Sequence, residues 1–231
     1  MNGHYAIAID GPSGAGKSTL ARAAAKRFGF IYVDTGAIYR TVGLAVRRAG
    51  ADRRDETAVK ALLPQLHITM AYSETGEQHM YLNGEDVTAL IRKPEISIFA
   101  SDVAALPAVR TFLMELQRRM ARENSVIMDG RDIGTVVLPD ADVKIFLTAS
   151  TEARAHRRLR ELEQRGMQPS FEEVLRDIEY RDEQDTHRTV APLKKAEDAV
   201  VVDTSELDFA ASLERIEHII RGQLGIEPEG K

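Results

Sequence analysis

A chain of 231 residues, 43% of them hydrophobic, can bury one core, and with no apolar run near the roughly eighteen residues of a membrane span it is not expected to cross a membrane. It contains no cysteine, which excludes disulfides, thiolate zinc sites and cysteine nucleophiles together. Lys and Arg total 31 against 36 Asp and Glu; the formal charge of −5 argues against a partner such as nucleic acid, while the predominance of arginine among the cations points to local phosphate sites.

The chain opens Met1, Asn2, Gly3, His4 without a basic segment followed by an apolar one, so no secretory leader is expected and a cytoplasmic location is. Residues 5–9 read as a buried strand, 10–16 are glycine-rich, and 17–28 read as a helix ending near Gly29. A second strand is expected over 30–33 and a helix over 37–49, with Gly50 as its stop. From 64 to about 94 the texture changes. Segments 67–72 and 78–82 alternate with period two, and Asn83-Gly84 is a strong turn signal, which predicts a small inserted antiparallel sheet. Residues 107–123 make an amphipathic helix with Val109, Leu113, Leu116 and Met120 on one face. Strands follow over 126–129 and 143–147, then a basic helix over 152–165 and another helix over 171–186. Residues 200–202 are the last strand, Phe209 to Leu224 stripe a final helix, and the tail 225–231 is expected to fray. Strands alternating with helices imply parallel β-α units, hence an α/β sheet covered on both faces.

Gly11, Pro12, Ser13, Gly14, Ala15, Gly16, Lys17 and Ser18 satisfy G-x-x-x-x-G-K-[ST] at every required position, and Thr19 follows. A strand before and a helix after supply the context the pattern needs. The glycines let backbone N–H groups turn inward as an anion nest at a helix N-terminus, Lys17 adds a mobile charge, and the Ser18 hydroxyl can ligate Mg²⁺. The loop implies a nucleoside triphosphate but not its use. A GTPase switch would need a guanine-reading N-K-x-D segment, which the chain lacks; a motor would commonly carry Asp-Glu after its second acidic strand, and here Asp129 is followed by Gly130. A kinase needs a second anion site, for which Arg40, Arg110, Arg131, Arg181 and Arg188 are available, and a lid that excludes water, for which the basic segment from Arg154 through Arg157 and Arg158 is suited.

The segments that identify a family are Asp34-Thr-Gly-Ala-Ile-Tyr-Arg40, Asp129-Gly-Arg-Asp-Ile-Gly-Thr-Val-Val137, Lys144-Ile-Phe-Leu147, Ala155-His-Arg-Arg158, Arg181-Asp182 and Val190-Ala-Pro-Leu193, together with the phosphate loop. In this order they resemble the bacterial cytidylate kinases, within the nucleoside-monophosphate kinases. The resemblance implies a P-loop kinase fold: a five-stranded parallel sheet covered by helices, a small antiparallel β insertion and a helical lid. The single domain 1–231 would comprise a core of 1–63, 95–150 and 171–225, a monophosphate-binding insertion over about 64–94 and a lid over about 151–170. It implies transfer of the ATP γ-phosphoryl to CMP or dCMP with Mg²⁺, with another small-molecule acceptor such as UMP or shikimate as the alternative and an NTPase switch behind it. Residue by residue, Asp34, Thr35 and Arg40 match the segment that meets the acceptor monophosphate. Ser101, Arg110 and Asp132 match the positions that read cytosine, Arg131 and Arg188 acceptor-phosphate ligands, Arg181 and Asp185 the sugar side, and Arg157 and Arg158 the lid. Lys17, Arg131, Arg157, Arg158 and Arg188 form the expected catalytic set. Thr35 stands where relatives often have Ser, and Ser18 where some have Gly.

Arg181, Asp185 and Arg188 are spaced by four and three, so one helical face presents all three. The inward stripe of that helix begins with Phe171, Val174, Leu175 and Ile178 and turns charged toward its end, as a core helix does on entering a site. Asp10, Asp34 and Asp129 all end strands, where ligands bind in an open α/β sheet, and Asp129 is the expected Mg²⁺ partner, through water. A phosphate acceptor is already an anion, so no base is needed. The six histidines show no metal spacing and read as structural or solvated. No segment advertises a large apolar interface, and a monomer is expected.

Overall fold

The fold follows from continuous apolar runs that can only be buried on both faces. The first forms β1 (Ala6–Asp10), followed by α1 (Lys17–Phe28), β2 (Ile31–Asp34) and α2 (Thr35–Arg48). A short α3 (Glu56–Leu62) leads to the inserted strands β3 (Ile68–Tyr72), β4 (Gln78–Leu82) and β5 (Glu85–Asp86). Then come α4 (Pro94–Ala104), α5 (Pro107–Glu123), β6 (Val126–Gly130), β7 (Val143–Thr148), α6 (Thr151–Gln164), α7 (Phe171–His187), β8 (Val200–Asp203) and α8 (Phe209–Leu224). This computed structural model describes residues 3–164 and 166–228, so Met1, Asn2, the predicted helix end Arg165 and the tail positions 229–231 lie outside it.

Five strands form one parallel sheet in the order β2-β6-β1-β7-β8. Successive residues feed opposite faces, as a pleat requires. Ala8, Val33, Val126 and Met128 pack with Ile38, Val42, Ile96 and Leu113 from α2, α4 and α5, and with Met80 and Leu82 of the insert. Ile7, Ile9, Ile127 and Ile145 pack with Leu20 and Ala24 of α1 and Leu213, Ile216 and Ile220 of α8. Both faces are covered, which is why these strands read as apolar runs. β3, β4 and β5 form a separate antiparallel sheet, with Tyr72 opposite Gln78.

Three elements depart from the sequence reading. α2 begins at Thr35, two residues before the predicted start, because the Asp34 carboxylate accepts from the Ala37 N–H at 2.8 Å and caps the helix. α3 and α4 are additional. α4 starts at Pro94, a favoured first position, but its β-branched and aromatic content hides it from propensity; packing of Ile96, Ala100 and Val103 overrides that weak preference. The described part of the tail does not fray: Ile226 packs against the second core cluster and Pro228 is buried.

α2 and α4 cross where Gly43 faces the Ala100 backbone, and a Cβ on Gly43 would lie 2.9 Å from the Ala100 nitrogen. Gly43 thus sets how closely α4, which carries Ser101, approaches the cleft described next. Gly43→Val should cost about 1–3 kcal/mol through overpacking, read as a lower urea midpoint with an unchanged denaturant slope.

Candidate active site

Parallel strands deliver Asp10, Asp34 and Asp129 to the carboxyl edge of the sheet, where a cleft of about 790 Å³ opens. The phosphate loop forms one end. Gly11 is required there by contact, because a Cβ would sit 1.9 Å from the Leu147 carbonyl oxygen. Ser13, Gly14, Ala15, Gly16, Lys17, Ser18 and Thr19 line the cleft; Gly11 and Pro12 back the loop without lining it. Lys17 is buried and donates to the Pro12 carbonyl at 2.7 Å. Burial, then the charge of Arg131, lowers its pKa to about 7 against the pull of Asp129, Asp185 and Asp10.

The three strand-end aspartates divide their work. Asp10 accepts from the Ile133 and Gly134 amides at 2.8 and 2.7 Å and so holds the π-turn Ile133–Val137. Burial raises its pKa to about 6 in spite of those two bonds. Asp34 caps α2 and pairs with Arg40 at 3.0 Å. Asp129 accepts from Ser18 Oγ at 2.8 Å and from the Tyr32 hydroxyl at 2.9 Å, while its carbonyl accepts from Thr35 Oγ1 at 2.7 Å. Of the three, Asp129 is the one whose side chain bonds the phosphate loop, through Ser18.

The far end is built from arginines. Arg110 and Asp132 form a buried ion pair, and Arg188 reaches the other Asp132 oxygen at 3.1 Å. Arg188 also lies 3.9 Å from Asp185, which accepts from Arg131 Nε at 2.6 Å. Burial raises the Asp185 carboxyl, but Arg131, Arg188 and Lys17 together hold it below the usual carboxylate range. An alternating chain therefore runs Arg110, Asp132, Arg188, Asp185, Arg131. Arg188 does this from just beyond α7, as its C-cap. Arg181 is pushed below the usual arginine range by burial and then by the charges of Arg158 and Arg131. The Nε of Arg40 is buried without a partner. Arg40, Ser101, Arg110, Arg131, Asp132, Arg158, Arg181, Asp185 and Arg188 all line the same cleft, with Asp34 and Thr35.

The two arginines expected in the lid both lie on α6 and line the cleft, but they meet different partners. Arg157 donates to Thr204 Oγ1 at 3.0 Å, to the Thr204 carbonyl, and to the Ala15 carbonyl at 3.4 Å. It stands at the loop end of the cleft, away from the arginine cluster, because carbonyls there satisfy it. Arg158 instead pairs with Glu161 at 2.8 Å and lies beside Arg181. The sequence reading missed Thr204, Leu207 and Phe209, which flank Arg157 along the cleft; Leu207 and Phe209 are exposed hydrophobics. Their position just past the carboxyl end of the last strand was the available signal. It counted Arg154 only as part of the basic lid segment, whereas this almost fully buried side chain donates to the Ser13 and Ala149 carbonyls at 3.0 Å each and pairs with Asp182 at 2.6 Å. That arginine pins the first turn of α6 to the phosphate loop.

A phosphate loop facing a second, cationic site is the layout of a phosphotransferase with an anionic acceptor, and comparison with known proteins narrows it. The sequence profile of the family described as cytidylate kinase matches residues 7–222. The chain belongs to the cytidylate kinase family. It is 50% identical to the cytidylate kinase of Carboxydothermus hydrogenoformans over 214 residues, 93% of this chain and 96% of that one. To the cytidylate kinase of Geobacter sulfurreducens it is 48% identical over 215 residues, 93% and 92% of the two chains. To that of Fervidobacterium nodosum it is 46% identical, covering 97% of this chain and all of the relative. As a member of this family, the chain is a kinase.

The buried state of Lys17 yields a test. In the unliganded enzyme its pKa is about 7; a polyphosphate beside it must raise that value, so between the two values the complex binds the extra proton. Calorimetry of ADP binding at pH 8 in two buffers of different ionisation enthalpy should show uptake approaching about one proton, fading near pH 6. Lys17→Met should remove the uptake.

Proposed function

We propose that this chain transfers the γ-phosphoryl of ATP to CMP and dCMP. The observation that carries the reading is one cleft with a phosphate loop at one end and the buried Arg110–Asp132 pair at the other. Amides of Ser13 to Thr19 wrap the triphosphate, and Lys17 leaves the Pro12 carbonyl for the β- and γ-phosphates. Mg²⁺ supplies charge neutralisation on those phosphates. Ser18, and Asp129 through water, are the residues that would hold it. The pair fits a cation that takes one or two protein oxygens and shares the substrate's phosphates, and among the described residues there is no group of three or more acidic or His ligands that would make a separate cage. Leu207, Phe209 and Arg157 offer the adenine a flat, partly apolar seat.

At the acceptor end, Arg40, Arg131, Arg188 and Thr35 hold the monophosphate, and Arg181 and Asp185 hold the sugar. An acceptor phosphate oxygen attacks the γ-phosphorus as the bond to the ADP oxygen breaks. The acceptor is already ionised, so no side chain takes a proton; positioning and charge do the catalysis. Arg158, beside Arg181, adds charge where the phosphoryl passes.

Choice of base rests on Asp132. Cytosine presents an N4 amino donor beside the N3 and O2 acceptors, and uracil replaces these with an O4 acceptor and an N3–H donor. A carboxylate favours the first and repels the second, while Arg110 donates to N3 or O2 and Ser101 adds a hydroxyl. An ADP-release assay across CMP, dCMP, UMP, AMP, GMP and shikimate should give rapid turnover with the cytidine nucleotides; turnover with shikimate alone, or ATP loss without an acceptor, would sink the reading. Asp132→Ala should lower the CMP/UMP ratio of kcat/KM by the roughly 1–3 kcal/mol of a base-edge contact, about 5- to 150-fold. An unchanged ratio would remove Asp132 from base reading.

A further inference from the structure

β2 is an edge strand of the main sheet: β6 pairs with one side and, among the described residues, no strand pairs with the other. Unpaired edge groups near a site must find partners. At Asp34 that partner is a side chain of the insert. The Asp34 N–H donates to Gln78 Oε1 at 2.8 Å, and the Asp34 carbonyl accepts from Gln78 Nε2 at 3.3 Å. Gln78 is buried, is the first residue of β4, and its amide takes the place that the backbone of another strand would fill.

What Gln78 grips is the residue that aims Arg40. One Asp34 carboxylate oxygen caps α2 at Ala37, and the other holds Arg40 Nη2 at 3.0 Å. Arg40 lines the cleft with its buried Nε unpartnered, a donor left for a ligand. Room for this arrangement exists because residue 36 is glycine: a Cβ there would stand 3.1 Å from both Arg40 Nη1 and Asp34 Oδ1. The linkage runs Gln78, Asp34, Arg40, from insert to cleft.

We infer that Gln78 is a positioning residue for the acceptor phosphate and that the inserted sheet acts on the reaction through it. The inference rests on the reading that Arg40 contacts the acceptor's phosphate. The competing role is plain support of an edge strand, which would weaken the fold and both substrate sites together.

Gln78→Met keeps length and packing and removes both bonds to Asp34. The expected result is a rise of about fivefold or more in KM for CMP, the weight of one net hydrogen bond, with KM for ATP within about twofold of wild type. Gln78→Glu keeps the acceptor for the Asp34 N–H but turns a carboxylate oxygen toward the Asp34 carbonyl, and should raise KM for CMP further; it also serves if the methionine variant fails to fold. His79→Ala alters a side chain of the same strand that pairs with Asp86 instead, and should leave both constants unchanged. Arg40→Ala should raise KM for CMP, and adding Gln78→Met to it should raise KM no further, since the positioned group is gone. Parallel rises in both KM values with a lowered Tm, or full additivity in the double variant, would overturn the inference. An unchanged KM for CMP in Arg40→Ala would instead overturn the acceptor reading on which it stands.

Discussion

The site depends on one buried carboxylate. Asp129 ends a strand flanked by β1 and β2, and three separate segments bond to it: Ser18 of the phosphate loop, Tyr32 of β2, and Thr35 at the start of α2 through the carbonyl. Leaving such a charge buried without partners would cost several kcal/mol. The two bonds to its carboxylate, from Ser18 and Tyr32, are each worth more than a neutral one, about 1.5–3 kcal/mol, while the Thr35 bond to its carbonyl is of the neutral kind. The need to satisfy Asp129 therefore fixes the donor loop relative to the acceptor segment. Burial and the neighbouring charge of Asp34 push its carboxyl upward, and Lys17 and the two hydroxyl donors oppose that push.

A second constraint acts at the opposite end. The chain Arg110, Asp132, Arg188, Asp185, Arg131 is buried at its Arg110–Asp132 end and half-buried toward Arg131, and such ion pairs are weak contributors to stability because desolvation offsets attraction. What the chain provides is fixed direction. Arginines held by carboxylates before a ligand arrives lose little side-chain freedom when it binds. Arg158 and Arg131 both repel Arg181, so an anion placed beside Arg181 relieves repulsion already present. On the proposed function, acceptor binding is favoured by charges the fold has assembled in advance.

How much of this could be read from the chain differs by element. The parallel strands were legible because burial makes the inner ones continuous apolar runs, with the edge strand β8 betrayed by its valines although Val201 is exposed, and the phosphate loop because its glycines sit at fixed spacings between strand and helix. Most of the expected site residues do line one cleft, since their motifs lie at strand ends and helix ends that topology brings together. What was not legible depends on tertiary contact. α4 has residues that prefer strands and is helical because it packs on α2. Arg154 and Arg157 belong to one basic helix, and nothing in the sequence separates them. Only the structure shows Arg154 locked to Ser13 and Asp182, and Arg157 satisfied at Thr204. Gln78 reads as one polar residue in an alternating strand, and its partner lies 44 positions away.

The two ends of the cleft are made of different material, and that difference bears on specificity. On the proposed function, the donor end would grip with backbone amides, which recognise phosphate and nothing about the acceptor. The acceptor end would grip with side chains supplied by α2, α4, α5, the segment after β6, and the α7 end. Choice of acceptor is therefore a matter of side chains that can be exchanged one at a time, while the triphosphate site is tied to the backbone path of the loop. The helices α6 and α7 occupy a third position. Among the described residues their own apolar cluster is Ala155, Val174 and Ile178 with a few partly buried neighbours. Against the rest of the protein they are held by polar side chains: Arg154 bonds the phosphate loop, Arg157 bonds Thr204, and Asp185 and Arg188 pair with Arg131 and Asp132. Of these, Arg157, Asp185 and Arg188 also line the cleft, so the charges that fix the two helices in place are the same charges a bound anion would meet.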